Sequence, residues 1–93
     1  MNHKSITRDF VVSNPLGIHA RPASLFVQTA AGFDAEISVA NLDSGSIADG
    51  RSVMSMLMLS APKGARIRLD ISGQDAEAAM EALSKLIEGG FDE

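Results

Sequence analysis

The apolar pattern along the chain predicts an α+β fold, an open-faced β-sandwich with a four-stranded antiparallel sheet and three helices on one face. Its clearest strand, residues 65–71, alternates aliphatic with charged side chains, as in an antiparallel sheet with one solvated face. Residues 20–31, and a second segment between Asp75 and Gly89, repeat apolar residues at helical spacing. Because one face of the sheet is exposed to solvent, the helices must cover the other face. The predicted order of elements along the chain is βαββαβα.

The first half of the chain divides into short elements separated by turn-forming residues. In order, they are a strand over 5–13, a turn over 14–17, a helix over 20–31, a strand over 34–40, a turn over 41–46 and a short strand at 47–48. The side chains expected to point inward are Ile6, Phe10, Val12, Ala23, Phe26, Val27, Ala30, Ala35, Ile37 and Val39. Arg8 interrupts the pattern of the first strand.

The second half begins with a helical segment that Ser52 caps and Pro62 bounds. Its run over 53–59 is apolar almost all round, so periodicity fits a buried strand or core helix as well as a helix with exposed apolar surface. The last helix is expected to start at an Asp75 cap and to end at Gly89-Gly90. Its predicted buried stripe is Ala76, Met80, Leu83 and Ile87. Residues 91–93 are expected to form a loose tail.

Composition narrows the class of protein. The 93 residues suit one domain over 1–93. The chain has no cysteine, which excludes disulfides and cysteine-based zinc sites, and its net charge of −4 argues against nucleic-acid binding. No apolar run approaches the ~20 residues of a membrane span, and the first residues lack a signal-peptide pattern. We therefore expect a cytoplasmic protein without membrane insertion. With only His3 and His19 as histidines, we expect no metal site. We also expect no cofactor.

The segment 17–23, Gly-Ile-His-Ala-Arg-Pro-Ala, holds the residues with the clearest chemistry. His19 lies at or next to a helix N-cap, and Arg21 and Pro22 fall in the first turn. The backbone N–H groups of Ala20 and Arg21 have no intrahelical partner and, with the helix dipole, favour an anion. A histidine at a helix start is, taken alone, most often a cap or surface residue. Together, the imidazole, the guanidinium and the backbone donors suit a histidine that holds a phosphoryl group.

This segment, followed by Asp-Gly-Arg-Ser-Val-Met at 49–54 and an apolar run, resembles the histidine-containing phosphocarrier protein (HPr) family. That family serves the bacterial phosphoenolpyruvate-dependent phosphotransferase system, and the match runs from about Phe10 to Ile87. The resemblance implies that His19 accepts a phosphoryl group from phosphoenolpyruvate-charged enzyme I and passes it to enzyme IIA components of sugar uptake. It further implies that Arg21 stabilises the phosphate. Such a protein is a carrier with a covalent intermediate rather than a stand-alone catalyst.

The resemblance also implies a second modified residue and a docking surface. Ser52 is similar to a serine that an HPr kinase/phosphorylase modifies in many members, although a plain N-cap serine is the alternative. The implied partner-docking residues are Ala20, Val53, Met54 and Leu57 on and beside a short second helix. The turn over 41–46 is longer than the tight turn expected from the family, so the pairing register beside it stays open.

Three other functions compete with a sugar-branch carrier. A nitrogen-branch or regulatory HPr-like carrier, not coupled to sugar transport, would use the same chemistry and stays open. An acylphosphatase-like hydrolase would need a glycine-rich loop that bears an arginine, which the chain lacks. A pure interaction module would not need both His19 and Arg21.

Overall fold

The structure is a computed structural model that describes residues 4–93. Its elements are β1 (Lys4–Val11), α1 (Ala20–Ala30), β2 (Glu36–Asn41), β3 (Ile47–Asp49), α2 (Val53–Met58), β4 (Arg66–Gly73), α3 (Ala76–Glu88) and a 3-10 turn (Gly90–Asp92). The predicted order βαββαβα is confirmed. Across residues 4–93, no helix has the length and apolar character that crossing a membrane requires.

The four strands form one antiparallel sheet in the order β1-β4-β2-β3. Strand β4 is central, and its alternation decides the two faces: Ile67, Leu69 and Ile71 are fully buried, whereas the residues between them are exposed. Helix α3 packs on β1 and β4, and α1 packs against both α2 and α3. The open-faced sandwich expected from the sequence is therefore confirmed, with its aliphatic core between the sheet and the helices.

The open face carries ion pairs instead of a second layer. Arg68 Nε lies 2.7 Å from Asp9 Oδ1 across β1 and β4, and this hydrogen bond lowers the pKa of Asp9. At the end of the sheet, the backbone and side chain of Arg66 donate hydrogen bonds that lower the pKa of Asp43. Both pairs are exposed, so solvent screens them and they contribute little to stability.

The turn after β2 is organised by Asn41, whose side chain is buried. Its Oδ1 accepts the backbone N–H groups of Asp43 at 3.0 Å and Ser44 at 3.3 Å. The backbone N–H of Asn41 donates to the Ser46 carbonyl at 2.8 Å. This Asx-type turn sets the register left open above, with Val39 opposite Ala48.

The apolar run after Ser52 forms a short helix. Helix α2 ends at Met58, before Pro62, because the chain leaves the helical conformation at Ser60, whose φ is +52°. Met56 and Leu59 are buried, whereas Met54 and Met58 are 70% and 73% exposed. The alternative of a buried strand is therefore excluded, and α2 shows apolar side chains to solvent.

Of two expectations about the C-terminal part of the chain, the Asp75 cap is confirmed in position only, and the loose tail is wrong. Asp75 occupies the N-cap position of α3, but its side chain makes no capping hydrogen bond. Instead, Asp75 Oδ2 accepts from Asp34 N–H at 2.7 Å and fastens the helix start to the loop before β2. Residues 91–93 are not a loose tail, because Phe91 is fully buried in the core. Burying this aromatic ring removes apolar surface from water and folds the segment back onto the protein.

Candidate functional site

The loop before α1 is held by its own backbone and by the segment that follows α2. Ile18 N–H donates to the Ala61 carbonyl at 2.8 Å. Gly17 has φ +69°, and a Cβ there would overlap the Ala61 carbonyl and the Pro62 backbone. Asn14 Nδ2 donates to the Gly17 carbonyl at 2.6 Å. This close approach accounts for the glycine two residues before His19 and fixes where α1 begins.

His19 is the N-cap residue of α1, with extended backbone angles (φ −100°, ψ −165°). Its side chain forms no capping hydrogen bond, and the ring is 34% exposed. The ring is instead oriented by Nε2, which lies 2.9 Å from Glu93 Oε2 and 3.2 Å from Oε1. The imidazole therefore lies at the helix start, at the surface, with one nitrogen engaged.

The first turn of α1 supplies backbone donors beside this ring. Within residues 4–93, the N–H groups of Ala20 and Arg21 donate to no acceptor, and the first intrahelical bond runs from Ala23 N–H to the His19 carbonyl at 3.0 Å. Pro22, which lacks an N–H, is buried in that turn. The Arg21 side chain is exposed. His19, Ala20 and Arg21 thus lie together where the helix dipole favours an anion.

Ser52 lies at the start of α2 as its N-cap residue. Its hydroxyl accepts the Ser55 backbone N–H at 3.1 Å, and Ser55 Oγ accepts the Asp49 N–H at 2.8 Å. Ser52 is half-buried, and its oxygen is already engaged in the cap. The Ser52 side chain therefore satisfies a backbone donor in the first turn of α2.

The four residues expected to dock partners differ in exposure. Met54 is 70% and Leu57 36% exposed, Ala20 is exposed, and Val53 is half-buried. Ala20 lies in α1 and the other three lie in α2, and these two helices are in contact. Four further large apolar side chains, which the sequence reasoning did not single out, are also exposed: Val11, Leu16, Ile47 and Met58.

Sequence reasoning also missed Asn14 and Glu93. Asn14 Nδ2 donates to Glu93 Oε1 at 2.9 Å, so the carboxylate that contacts His19 is itself held by a buried amide. Residues 19 and 93 are 74 positions apart, and no local pattern signals such a contact. In the described part of the chain, no three acidic or histidine side chains are grouped to hold a metal ion; His3 lies outside it.

A protein-family model described as the PTS HPr component phosphorylation site matches residues 6–89. The chain is 42% identical over 82 residues to the phosphocarrier protein NPr of Escherichia coli K12. It is 44% identical over 82 residues to the phosphocarrier protein HPr of Neisseria meningitidis serogroup A. Each alignment covers 88% of this chain and 90% of the relative.

A longer relative and a solved structure extend this similarity. The multiphosphoryl transfer protein of Salmonella typhimurium is 43% identical over 89 residues, but the chain spans only 24% of that protein's length. Among solved structures, HPr from Thermoanaerobacter tengcongensis superposes with a TM-score of 0.85 at 38% identity and 97% coverage of both chains. The similarity therefore covers sequence and fold together.

Proposed function

The chain belongs to the HPr family of phosphocarriers of the phosphotransferase system, and we propose that it carries a phosphoryl group on His19. In this proposal, phosphoenolpyruvate-charged enzyme I is the donor and enzyme IIA components of sugar uptake are the acceptors. The carrier works in the cytoplasm as one domain over residues 1–93. Its histidine binds the phosphoryl group covalently between donor and acceptor, and no metal or cofactor takes part.

The single observation that carries the proposal is the open start of α1. His19 occupies the N-cap position without using its side chain to cap, so the N–H groups of Ala20 and Arg21 remain available to phosphate oxygens. Phosphoryl transfer needs in-line positioning and stabilisation of charge more than acid–base chemistry. The backbone donors and the Arg21 guanidinium supply that stabilisation beside the ring.

The exposure of the site suits a carrier that must both accept and release. The ring is 34% exposed and the Arg21 side chain is exposed, so a partner's nucleophile can approach the phosphorus in line. Solvent weakens the hydrogen bonds that hold the phosphate, compared with those in a buried site. Partners would dock on Ala20, Val53, Met54 and Leu57, where flexible methionine adapts to different partner surfaces.

Phosphorylation with isotopically labelled phosphoenolpyruvate and enzyme I tests the proposal. The protein should acquire acid-labile, base-stable label, as a phosphoramidate does, and His19→Ala should abolish it. His3→Ala, which removes the other histidine, is the matched control and should label normally. Retention of label in His19→Ala would contradict the assignment.

Regulatory phosphorylation of Ser52 is part of the proposed function. A phosphate on Ser52 would remain at a helix N-terminus, which tolerates negative charge, and would place that charge beside Val53 and Met54. Apolar docking of enzyme I would then be weakened. Incubation with ATP and an HPr kinase/phosphorylase should give base-labile label that Ser52→Ala loses and Ser60→Ala keeps. Absence of label on Ser52 would leave it as a structural cap only.

The alternative is a nitrogen-branch or regulatory carrier not coupled to sugar transport. It stays an alternative because the chain is nearly as identical to a relative named NPr, 42%, as to one named HPr, 44%. Both branches would use the same site chemistry, so partner choice is the discriminating property. Phosphoryl transfer should be compared from the enzyme I of each branch under identical conditions. Faster transfer from the nitrogen-branch donor would replace the sugar-branch proposal.

A further inference from the structure

Residues 90–93, here called the clasp, extend past the family match, which ends at residue 89. The clasp folds back onto the protein through Phe91, which is fully buried. Phe91 and Asp92 have φ of +56° and +61°. Residues other than glycine hold such angles only where their surroundings determine them, and here the burial of Phe91 does so.

The clasp ends with Glu93 against the imidazole of His19. Glu93 Oε2 lies 2.9 Å from Nε2, while Oε1 accepts from the Asn14 side chain at 2.9 Å. The Glu93 side chain is only 17% exposed, less than the ring it contacts. Asn14 is buried and also donates to the Gly17 carbonyl. The carboxylate is therefore held by the same loop that positions His19.

This contact determines which ring nitrogen can act as a nucleophile. An ionised carboxylate only accepts hydrogen bonds, so the short contact requires a proton on Nε2. In the neutral ring the lone pair then lies on Nδ1, which makes no hydrogen bond to any residue in 4–93. A carboxylate that fixes a histidine tautomer in this way is a recurring device in metal and triad sites.

We propose that Glu93 is a positioning residue for phosphoryl transfer at His19; this rests on the carrier function proposed above. The Nδ1 lone pair forms the new P–N bond while the donor's P–N bond breaks and returns its electron pair to the donor nitrogen. No proton moves, and His19 becomes a positively charged ring that keeps its Nε2–H. Glu93 stabilises that charge from the side of the ring away from the phosphorus.

The tautomer can be measured without any phosphoryl transfer. Nitrogen-15 NMR of the neutral His19 ring should show protonation at Nε2 in the parent protein. Glu93→Ala should release a measurable fraction of the Nδ1–H tautomer, whereas Glu93→Gln should retain Nε2–H because the amide oxygen still accepts. Asp92→Asn, the neighbouring carboxylate on the clasp, is the matched control and should leave the ring unchanged.

Rapid-quench kinetics with phosphorylated enzyme I separates positioning from folding and docking. Glu93→Ala should lower kcat ~10-fold with KM unchanged, and Glu93→Gln should lower it by less, about 3-fold, because geometry survives and charge is lost. Asp92→Asn should match the parent. An unchanged tautomer in Glu93→Ala, or a kcat equal to that of Asp92→Asn, would overturn the role of Glu93. Label retained in His19→Ala would instead overturn the carrier function, so the two failures are distinguishable.

Discussion

The two helix starts, at His19 and at Ser52, both have an extended N-cap residue but differ in what its side chain does. Both residues are N-caps with extended backbone angles. Ser52 turns its hydroxyl onto the Ser55 N–H and satisfies a donor of its own helix. His19 turns its ring to Glu93, and the N–H groups of Ala20 and Arg21 have no acceptor among residues 4–93. A helix start thus becomes a site for an incoming anion when its cap side chain is directed elsewhere.

This difference has an energetic consequence. The Ser52 cap stabilises α2, which at six residues is too short to form without help. Helix α1 has 11 residues and a buried face containing Phe26 and does not need a side-chain cap. The longer helix can therefore leave its first donors free for function. Four predictions test this comparison, from the largest expected effect to the smallest.

Gly17→Ala should have the largest effect, because it breaks the support of the His19 start. The new Cβ meets the Ala61 carbonyl and Pro62 at a φ of +69°, and the free energy of unfolding should fall by roughly 3 kcal/mol. Gly45→Ala is the control: its φ is +85°, but nothing lies within 4 Å of the added carbon, so only about 1 kcal/mol should be lost. Urea denaturation measures both. Equal losses would show that the close approach at Gly17 is unimportant.

Arg21→Ala should lower the rate of phosphoryl acceptance about 10-fold, or ~1.4 kcal/mol in the barrier, through loss of a guanidinium beside the phosphate. Arg21→Lys should recover part of the rate because it keeps the charge. Lys63→Ala removes the same charge from another exposed residue and should leave the rate unchanged. If Arg21→Ala and Lys63→Ala behaved alike, the guanidinium would have no specific role at the open helix start.

Ser52→Ala should cost about 1 kcal/mol of stability, the usual value of an N-cap. The corresponding change at the other helix start should be smaller, because His19 caps nothing. Measured in a Glu93→Ala background, where the clasp contact is already lost, His19→Ala should change stability by less than ~0.5 kcal/mol. Urea denaturation of these variants gives the comparison. A loss at His19 as large as that at Ser52 would show that the two starts are energetically alike.

Asp9→Asn, on the open face of the sheet, should have the smallest effect. The hydrogen bond from Arg68 makes the pKa of Asp9 lower in the folded protein than its ordinary value of 3.8. Its contribution to stability is therefore fully present above pH 3.8 and lost as the pH falls through the lower folded value. Asp9→Asn should make acid unfolding below that pH less steep and leave phosphorylation unchanged. An altered labelling rate would show that the open face of the sheet communicates with the site.

Much of the fold follows from local pattern. The alternation around Leu69 and the helical spacing of Ala23 and Phe26 identified a central strand and a helix that the structure confirms. Side-chain contacts between residues far apart in the chain were less well predicted. Asp75 looks like a cap in sequence, yet it bonds to Asp34, 41 positions away, because the loop before β2 brings that N–H within reach.

By itself, the sequence determined the order of the elements, the two motifs and the placement of His19 and Arg21 at a helix start. These features depend on the spacing of apolar residues and on the residue types preferred at helix starts, and both involve residues close together in the chain. Only the tertiary structure decided that His19 leaves its helix uncapped, that Phe91 is core and that Glu93 contacts Nε2. Such contacts join residues far apart in the chain, and packing of the whole core decides where they meet.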